Sequence, residues 1–296
     1  MLKQFYKLIL KHEGKQWAKN DAIRDAGLVD PEDVVIADDI NYGDGSRDNL
    51  LAVHQPKGNM KKLPCIIDVH GGGWFYGSKD LYRHYCSMLA QHGFVVVNFN
   101  YHLTPDYLFP TPLEDTNKVV QWMIANHQQY NIDLNNVFLV GDSAGAQIAS
   151  QYAMIVTNPE YAELFDFKVP EGFQLRAFVG NCGVYNILDG KIASLLHIYF
   201  GREYRERSER LDVFSWLTDR FPPSFIMTAV KDQARSEALP FVNALQRAGV
   251  DVTYRMYGDK NNPLAHVFHE DIRSASAKAC NDEECAYMKK YVKKGE

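Results

Sequence analysis

The chain has 296 residues, 46% of them hydrophobic and 23% charged, with a formal net charge of −5. This composition is ordinary for a globular protein of one large α/β domain or two small ones. The acidic balance leaves no electrostatic footprint for nucleic acid, and no run approaches the roughly 18 consecutive apolar residues of a membrane-crossing helix.

The first run, Met1 to Lys11, is amphipathic. Lys7 interrupts its apolar stretch and no small-residue cleavage site follows, so it reads as a helix of the mature protein and not as a secretion signal. A β-rich region follows, with Val34-Val35-Ile36 and Asn49 to Val53 flanking a turn at Gly43-Asp44-Gly45. Strands then alternate with helices. Cys65 to Val69 is a short buried-type strand. Tyr82 to His92 is helical and Gly93 ends it. Phe94 to Val97 is the next strand. A helix starts near Pro112, with Thr111 as cap and Glu114 completing a capping box. Val137 to Val140 is a strand, and the helix after it, Ala144 to Val156, carries Ile148, Ala149, Tyr152 and Ala153 on its apolar face. Leu175 to Val179 and Ser224 to Val230 are strands, Glu237 to Ala248 a helix, Asp251 to Met256 a strand, and Ala275 to Val292 a last helix. Lys289, Lys290, Lys293 and Lys294 make its end a solvated one, where cations complement the dipole.

Alternation of this kind builds a mostly parallel sheet covered by helices on both faces, which is why the strands are apolar runs and not alternating ones. Residues 183–222 break the alternation. They contain Leu195 to Phe200 and the charged stretch Arg202 to Arg210. A cap above the sheet explains them, with the N-terminal helix packed on it; a longer surface helix pair is the plainer reading. The expected layout is one domain over residues 1–296, with a small helical cap from 1–26 and 183–222.

Two strings carry the chemistry. Gly141-Asp142-Ser143-Ala144-Gly145 has the form G-x-S-x-G, a strand leads into it and a helix leaves it. A serine at such a turn is held in strained backbone with its hydroxyl outward. His70-Gly71-Gly72-Gly73-Trp74 supplies backbone N–H groups with no side chains in the way, as an oxyanion hole needs. No G-K-[ST] follows, which counts against a phosphate loop. The oxyanion donors expected are Ala144, next to the nucleophile, with Gly71 and Gly72; Gly73 would keep the approach open. His70 precedes the turn and reads as a structural hydrogen-bonding group. Trp74 either binds substrate in the acyl pocket or packs under the loop.

A serine hydroxyl needs a base, and the base needs an orienting carboxylate. With this elbow the chain order is serine, acid, histidine. Of the ten histidines only His266 and His269 follow the last predicted strand, and His266 is favoured because the loop Asn261 to Ala265 projects it over the sheet edge. Asp232 follows a strand at its C-terminal end, where ligands gather in open α/β sheets. Asp259 is the second candidate, Asp251 begins a strand at the wrong edge, and Glu237 reads as a cap or brace.

These residues resemble the hormone-sensitive-lipase-like group of α/β-hydrolase esterases, over roughly Asn41 to the C-terminus. His70 to Gly73 matches the oxyanion string and Gly141 to Gly145 the elbow. Tyr101-His102-Leu103-Thr104-Pro105-Asp106, with Phe109-Pro110 and Leu113-Glu114-Asp115, is similar to the group's Y-R-L-A-P-E segment and the helix after it. Asp232 to Glu237 resembles D-P-L-x-D-E, and His266-Val267-Phe268 resembles H-G-F. Departures are His102 for arginine, Asp106 for glutamate, Ala146 and Val267 for glycines, and Gln233, Ala234 and Ser236 in the acid motif. The resemblance implies an α/β-hydrolase fold and a cap from the N-terminus and the insert. It implies a serine carboxylesterase of short-chain acyl esters working through Ser143, Asp232 and His266, with no cofactor and no metal.

The same triad would serve an amide or formamide hydrolase, and the fold also hosts non-catalytic small-molecule binders. The aromatic residues Tyr199, Phe200, Phe214 and Trp216 suggest a closed, modest pocket. Cys65, Cys86, Cys182, Cys280 and Cys285 are scattered and odd in number, which reads as reduced thiols in a cytoplasmic protein. Cys280 and Cys285 lack the second ligand pair of a metal site. The partner expected is a small ester, with neither nucleic acid nor membrane, and the sequence is neutral between monomer and homodimer.

Overall fold

The computed structural model describes residues 2–187, 198–201 and 208–294. The apolar runs form one eight-stranded sheet in the order β1-β2-β4-β3-β5-β6-β7-β8. Its strands are β1 (Val34–Asn41), β2 (Leu50–Pro56), β3 (Leu63–Val69), β4 (Val95–Phe99), β5 (Ile132–Asp142), β6 (Ala177–Asn181), β7 (Ser224–Ala229) and β8 (Val252–Tyr257). The pairs β1–β2 and β2–β4 are antiparallel and all others parallel.

Side chains alternate between two cores. Ile67, Val97 and Leu139 pack on one face; Ile66, Val96 and Phe138 pack on the other. The first face is covered by α3 (Thr111–Asn126), α4 (Ser143–Thr157) and α5 (Arg235–Arg247). The second is covered by α2 (Arg83–Gln91) and α6 (Ala275–Lys290). Burial of both strand faces is the reason these strands are near-continuous apolar runs.

The chain leaves β3 for β4 on one side, then returns to place β5 on the other side of β3. This reversal opens a crevice at the strand C-termini, the usual ligand position of such sheets. Register aligns the openings, because Val69 pairs with Gly141 and Asp142 with Asn181. The glycine string and the elbow serine therefore leave neighbouring strands at one level.

Three local expectations change. The helix expected from Pro112 begins at Thr111 with Pro110 at its cap, and no side-chain cap bond forms. The Pro110 carbonyl accepts from Leu113 and Glu114 N–H and closes the first turn itself. β5 starts at Ile132, five residues earlier than expected, because Ile132 and Asp133 pair with Leu63 and Pro64 before a register break. The N-terminal helix α1 runs from Leu2 to Arg24, well beyond Lys11. Within the irregular 183–222 segment, Leu195 to His197 and Arg202 to Arg207 lie outside the described residues. Among the described residues, no helix is long and apolar enough to cross a membrane.

Candidate active site

Ser143 sits between β5 and α4 with φ 48°, a left-handed conformation that few non-glycine residues adopt. The flanking glycines permit the bend. A Cβ on Gly141 would lie 2.6 Å from the Gly145 carbonyl oxygen, and one on Gly145 would lie 2.0 Å from the Val69 carbonyl oxygen.

Ser143 Oγ is 2.9 Å from His266 Nε2, and His266 Nδ1 is 2.6 Å from Asp232 Oδ1. Asp232 also accepts from the Thr228 hydroxyl at 2.6 Å and from the Ala234 N–H at 2.8 Å. Burial works to raise the pKa of Asp232, but the hydrogen bond and charge of His266, with the Thr228 and Ala234 donors, outweigh it. The carboxyl is held below its usual range. The loops that carry acid and base are joined directly, since the Lys231 N–H donates to the Leu264 carbonyl at 2.9 Å. Val267 follows the base at φ 49°, a strained position for a β-branched residue.

The other candidates lie elsewhere. Asp259 is exposed and accepts from the N–H groups of Asn261 and Asn262. Glu237 braces the backbone by accepting from the Asn186 N–H at 3.0 Å. His269 is wholly buried, edge-on to Tyr85, and burial drives its pKa down to about 3. His70 is buried, stacked on Tyr101, with Nδ1 on the Gly71 carbonyl at 2.7 Å. Cys182 lies beside Asp232 and His266, donor atoms of the three falling within 4.8 Å of one another. The two catalytic candidates in that group are already spent on each other.

The glycine string differs from expectation at one residue. The Gly71 N–H donates to the Tyr82 hydroxyl at 2.8 Å, so it is not open to a substrate oxygen. The N–H groups of Gly72, Gly73 and Ala144 make no hydrogen bond among the described residues, and all three residues border the cavity. The N–H of Gly73, not that of Gly71, is therefore open beside that of Gly72. The Asp142 carboxyl lies against Gly71, near the Tyr82 hydroxyl. Burial raises it to about 6, against the lowering effect of Tyr82 and of the His266 charge.

Trp74 borders the cavity, but its ring is buried under the loop. Its indole N–H donates to Gln147 at 2.9 Å and its ring stacks on Tyr199 at 5.0 Å. Of the aromatic residues expected around a small pocket, Tyr199 and Phe200 pack beneath Trp74 and Phe109. Phe214 lies on Phe241 and Trp216 on Tyr161. None of the four borders the cavity, because rings gain more by burial against each other and the sheet.

The cavity over Ser143 is about 850 Å³ and is walled by α1, through Trp17, Asn20, Asp21 and Arg24. Sequence reading missed these residues as a site. Their spacing is one stripe of a helix, but a polar and aromatic stripe on a terminal helix does not announce what it faces.

A sheet with this order and an elbow serine at the crevice is that of an α/β hydrolase. Residues 66–270 match the alpha/beta hydrolase fold family, and the chain belongs to it. Within that family it is a carboxylic ester hydrolase of the hormone-sensitive-lipase-like group. It is 30% identical over 242 residues to the versiconal hemiacetal acetate esterase of Dothistroma septosporum, covering 75% of this chain and 73% of that one. It is 26% identical to the esterase LipQ of Mycobacterium tuberculosis, covering 71% of this chain but only 53% of the relative's length. Its fold is also that of esterase B from Lactobacillus rhamnosis, solved with a tributyrin phosphonate inhibitor, at a TM-score of 0.90 and 24% identity over 98% of this chain and 96% of that one.

Proposed function

We propose that the chain is a serine esterase that cleaves short-chain acyl esters through an acyl-enzyme, and the observation that carries this is the unbroken Ser143–His266–Asp232 hydrogen-bond chain beneath the cavity. His266 Nε2 takes the Ser143 proton as Oγ attacks the ester carbonyl. Asp232 holds the Nδ1 proton and stabilises the imidazolium that forms. The N–H groups of Gly72, Gly73 and Ala144 receive the negative charge on the former carbonyl oxygen, and each such donor is worth about 100- to 1000-fold in rate. His266 then returns its proton to the departing alcohol. A water molecule, deprotonated by the same nitrogen, attacks the acyl-enzyme, and Ser143 leaves with the proton restored. The mechanism calls on no cofactor and no metal.

Preference for short acyl groups is supported by the acetate named in the fungal relative and the tributyrin phosphonate in the bacterial one. We read α1 as the main cap element, because it walls the cavity opposite Ser143. The five cysteines are all buried and unpaired, which supports a reducing, cytoplasmic setting. A fluorophosphonate probe should label Ser143 in the folded protein. Rates on 4-nitrophenyl esters from acetate to palmitate should peak at the short end, and an amide panel should be slower. Absence of labelling would reject the serine mechanism; a maximum at long chains would reject the acyl preference.

A further inference from the structure

The stripe of α1 over the cavity contains two charged residues, and both are already satisfied. Arg24 makes two bonds of 2.7 Å to Asp25, a third to the Leu81 carbonyl at 3.3 Å, and lies 3.2 Å from Asp21. Asp21 in turn accepts from the Tyr76 hydroxyl at 2.7 Å. Asp271, which also borders the cavity, lies 3.6 Å from Arg273. An anionic substrate would find Arg24 neutralised by two carboxylates.

Two neutral carboxamides at the cavity have spare capacity. Asn20 on α1 and Gln233 beside the acid loop are exposed carboxamides, and neither makes a hydrogen bond among the described residues. A carboxamide both donates and accepts, which matches hydroxyl groups better than it matches a charge or a hydrocarbon. Trp17 adds an indole held between Phe75 at 4.8 Å and Tyr76 at 5.8 Å, at the edge of the glycine string. A flat apolar ring and neutral donor–acceptor groups lining one cavity suit a saturated ring that carries hydroxyls. The volume of about 850 Å³ is far more than an acetyl group fills, and leaves room for such an alcohol.

Resting on the ester-hydrolase reading, we propose that the leaving alcohol is a neutral polyol of sugar size, bound between Asn20 on α1 and Gln233. The reaction is the one already balanced above, with the sugar hydroxyl as the group that takes the proton from His266.

The test compares kcat/KM on a monoacetylated methyl pentopyranoside, on cyclohexyl acetate, which has the ring without the hydroxyls, and on acetylcholine. The sugar ester should exceed both by about 10-fold, as expected for one or two net hydrogen bonds. Asn20→Leu and Gln233→Leu should each reduce the ratio of sugar ester to cyclohexyl acetate roughly 3- to 10-fold. A ratio at or below one in the parent enzyme, preference for the choline ester, or a ratio unmoved by both variants would overturn the proposal. 4-Nitrophenyl acetate separates the two readings: if it is not hydrolysed, the esterase reading fails; if it is, only the alcohol assignment is on trial.

Discussion

Replacing Glu284 with glutamine should relieve the fold of part of its sensitivity to alkali. Glu284 lies wholly buried on α6, accepting from the Tyr85 hydroxyl at 2.6 Å and from the Asn181 amide at 2.8 Å. Burial raises its pKa from 4.5 to about 7, although both hydrogen bonds favour the ionised form. A carboxyl that ionises less readily when folded holds its proton in the native state after the unfolded chain has lost its own. The stability contributed by this group is therefore fully present below pH about 4.5 and is lost as pH rises through the folded value. The interval from 4.5 to about 7 corresponds to about 3 kcal/mol. Glutamine keeps the shape, can accept from Asn181 and can donate to the Tyr85 oxygen, and does not titrate. Urea unfolding of both proteins should give similar stabilities at about pH 4, with the variant ahead by about 3 kcal/mol at about pH 8.5. The difference between the two proteins isolates Glu284 from the neighbouring buried acids Asp68 and Glu270, which burial also raises. Parallel pH profiles would refute the reasoning.

Three further substitutions address the site. Ser143→Ala should lower 4-nitrophenyl acetate turnover by about 10,000-fold or more while leaving the unfolding midpoint in place; retained turnover would remove Ser143 from the mechanism. Asp232→Asn should cost about 10,000-fold in kcat, because an amide in place of the carboxylate favours the wrong imidazole tautomer, and a loss under 10-fold would point to another acid. Tyr82→Phe leaves the Gly71 N–H without its acceptor, at a cost of about 1–3 kcal/mol in stability. Its kcat should fall more than its KM rises, since the glycines that follow Gly71 carry the proposed oxyanion donors. A pure KM effect would count against that role for the loop.

Most of the sheet was legible because its strands are apolar runs bounded by glycine, proline and polar residues, a pattern that burial on both faces imposes. Boundaries moved where partners decided them. Ile132 joins β5 only because Leu63 lies opposite it, and Pro110, not Thr111, closes the start of α3 through its carbonyl. Ser143, Asp232 and His266 were nameable as candidates in advance because chain order and strand ends restrict the choice, and the structure brings all three within hydrogen-bonding distance.

What the sequence determined by itself is local steric chemistry: a serine flanked by glycines where a Cβ would strike backbone, and a glycine string beside it. The Gly141 constraint acts on a carbonyl four residues along the chain, so it is written there, whereas the one at Gly145 comes from the Val69 carbonyl on a neighbouring strand. Tertiary structure alone decided which N–H groups of that string stay open, because the Tyr82 hydroxyl claims that of Gly71. It also decided that Trp74 lies buried beneath the loop and that α1 forms the far wall of the cavity. Those outcomes depend on the direction of a donor or ring relative to groups that are distant in the chain or carried on another element, and no pattern within one segment encodes them.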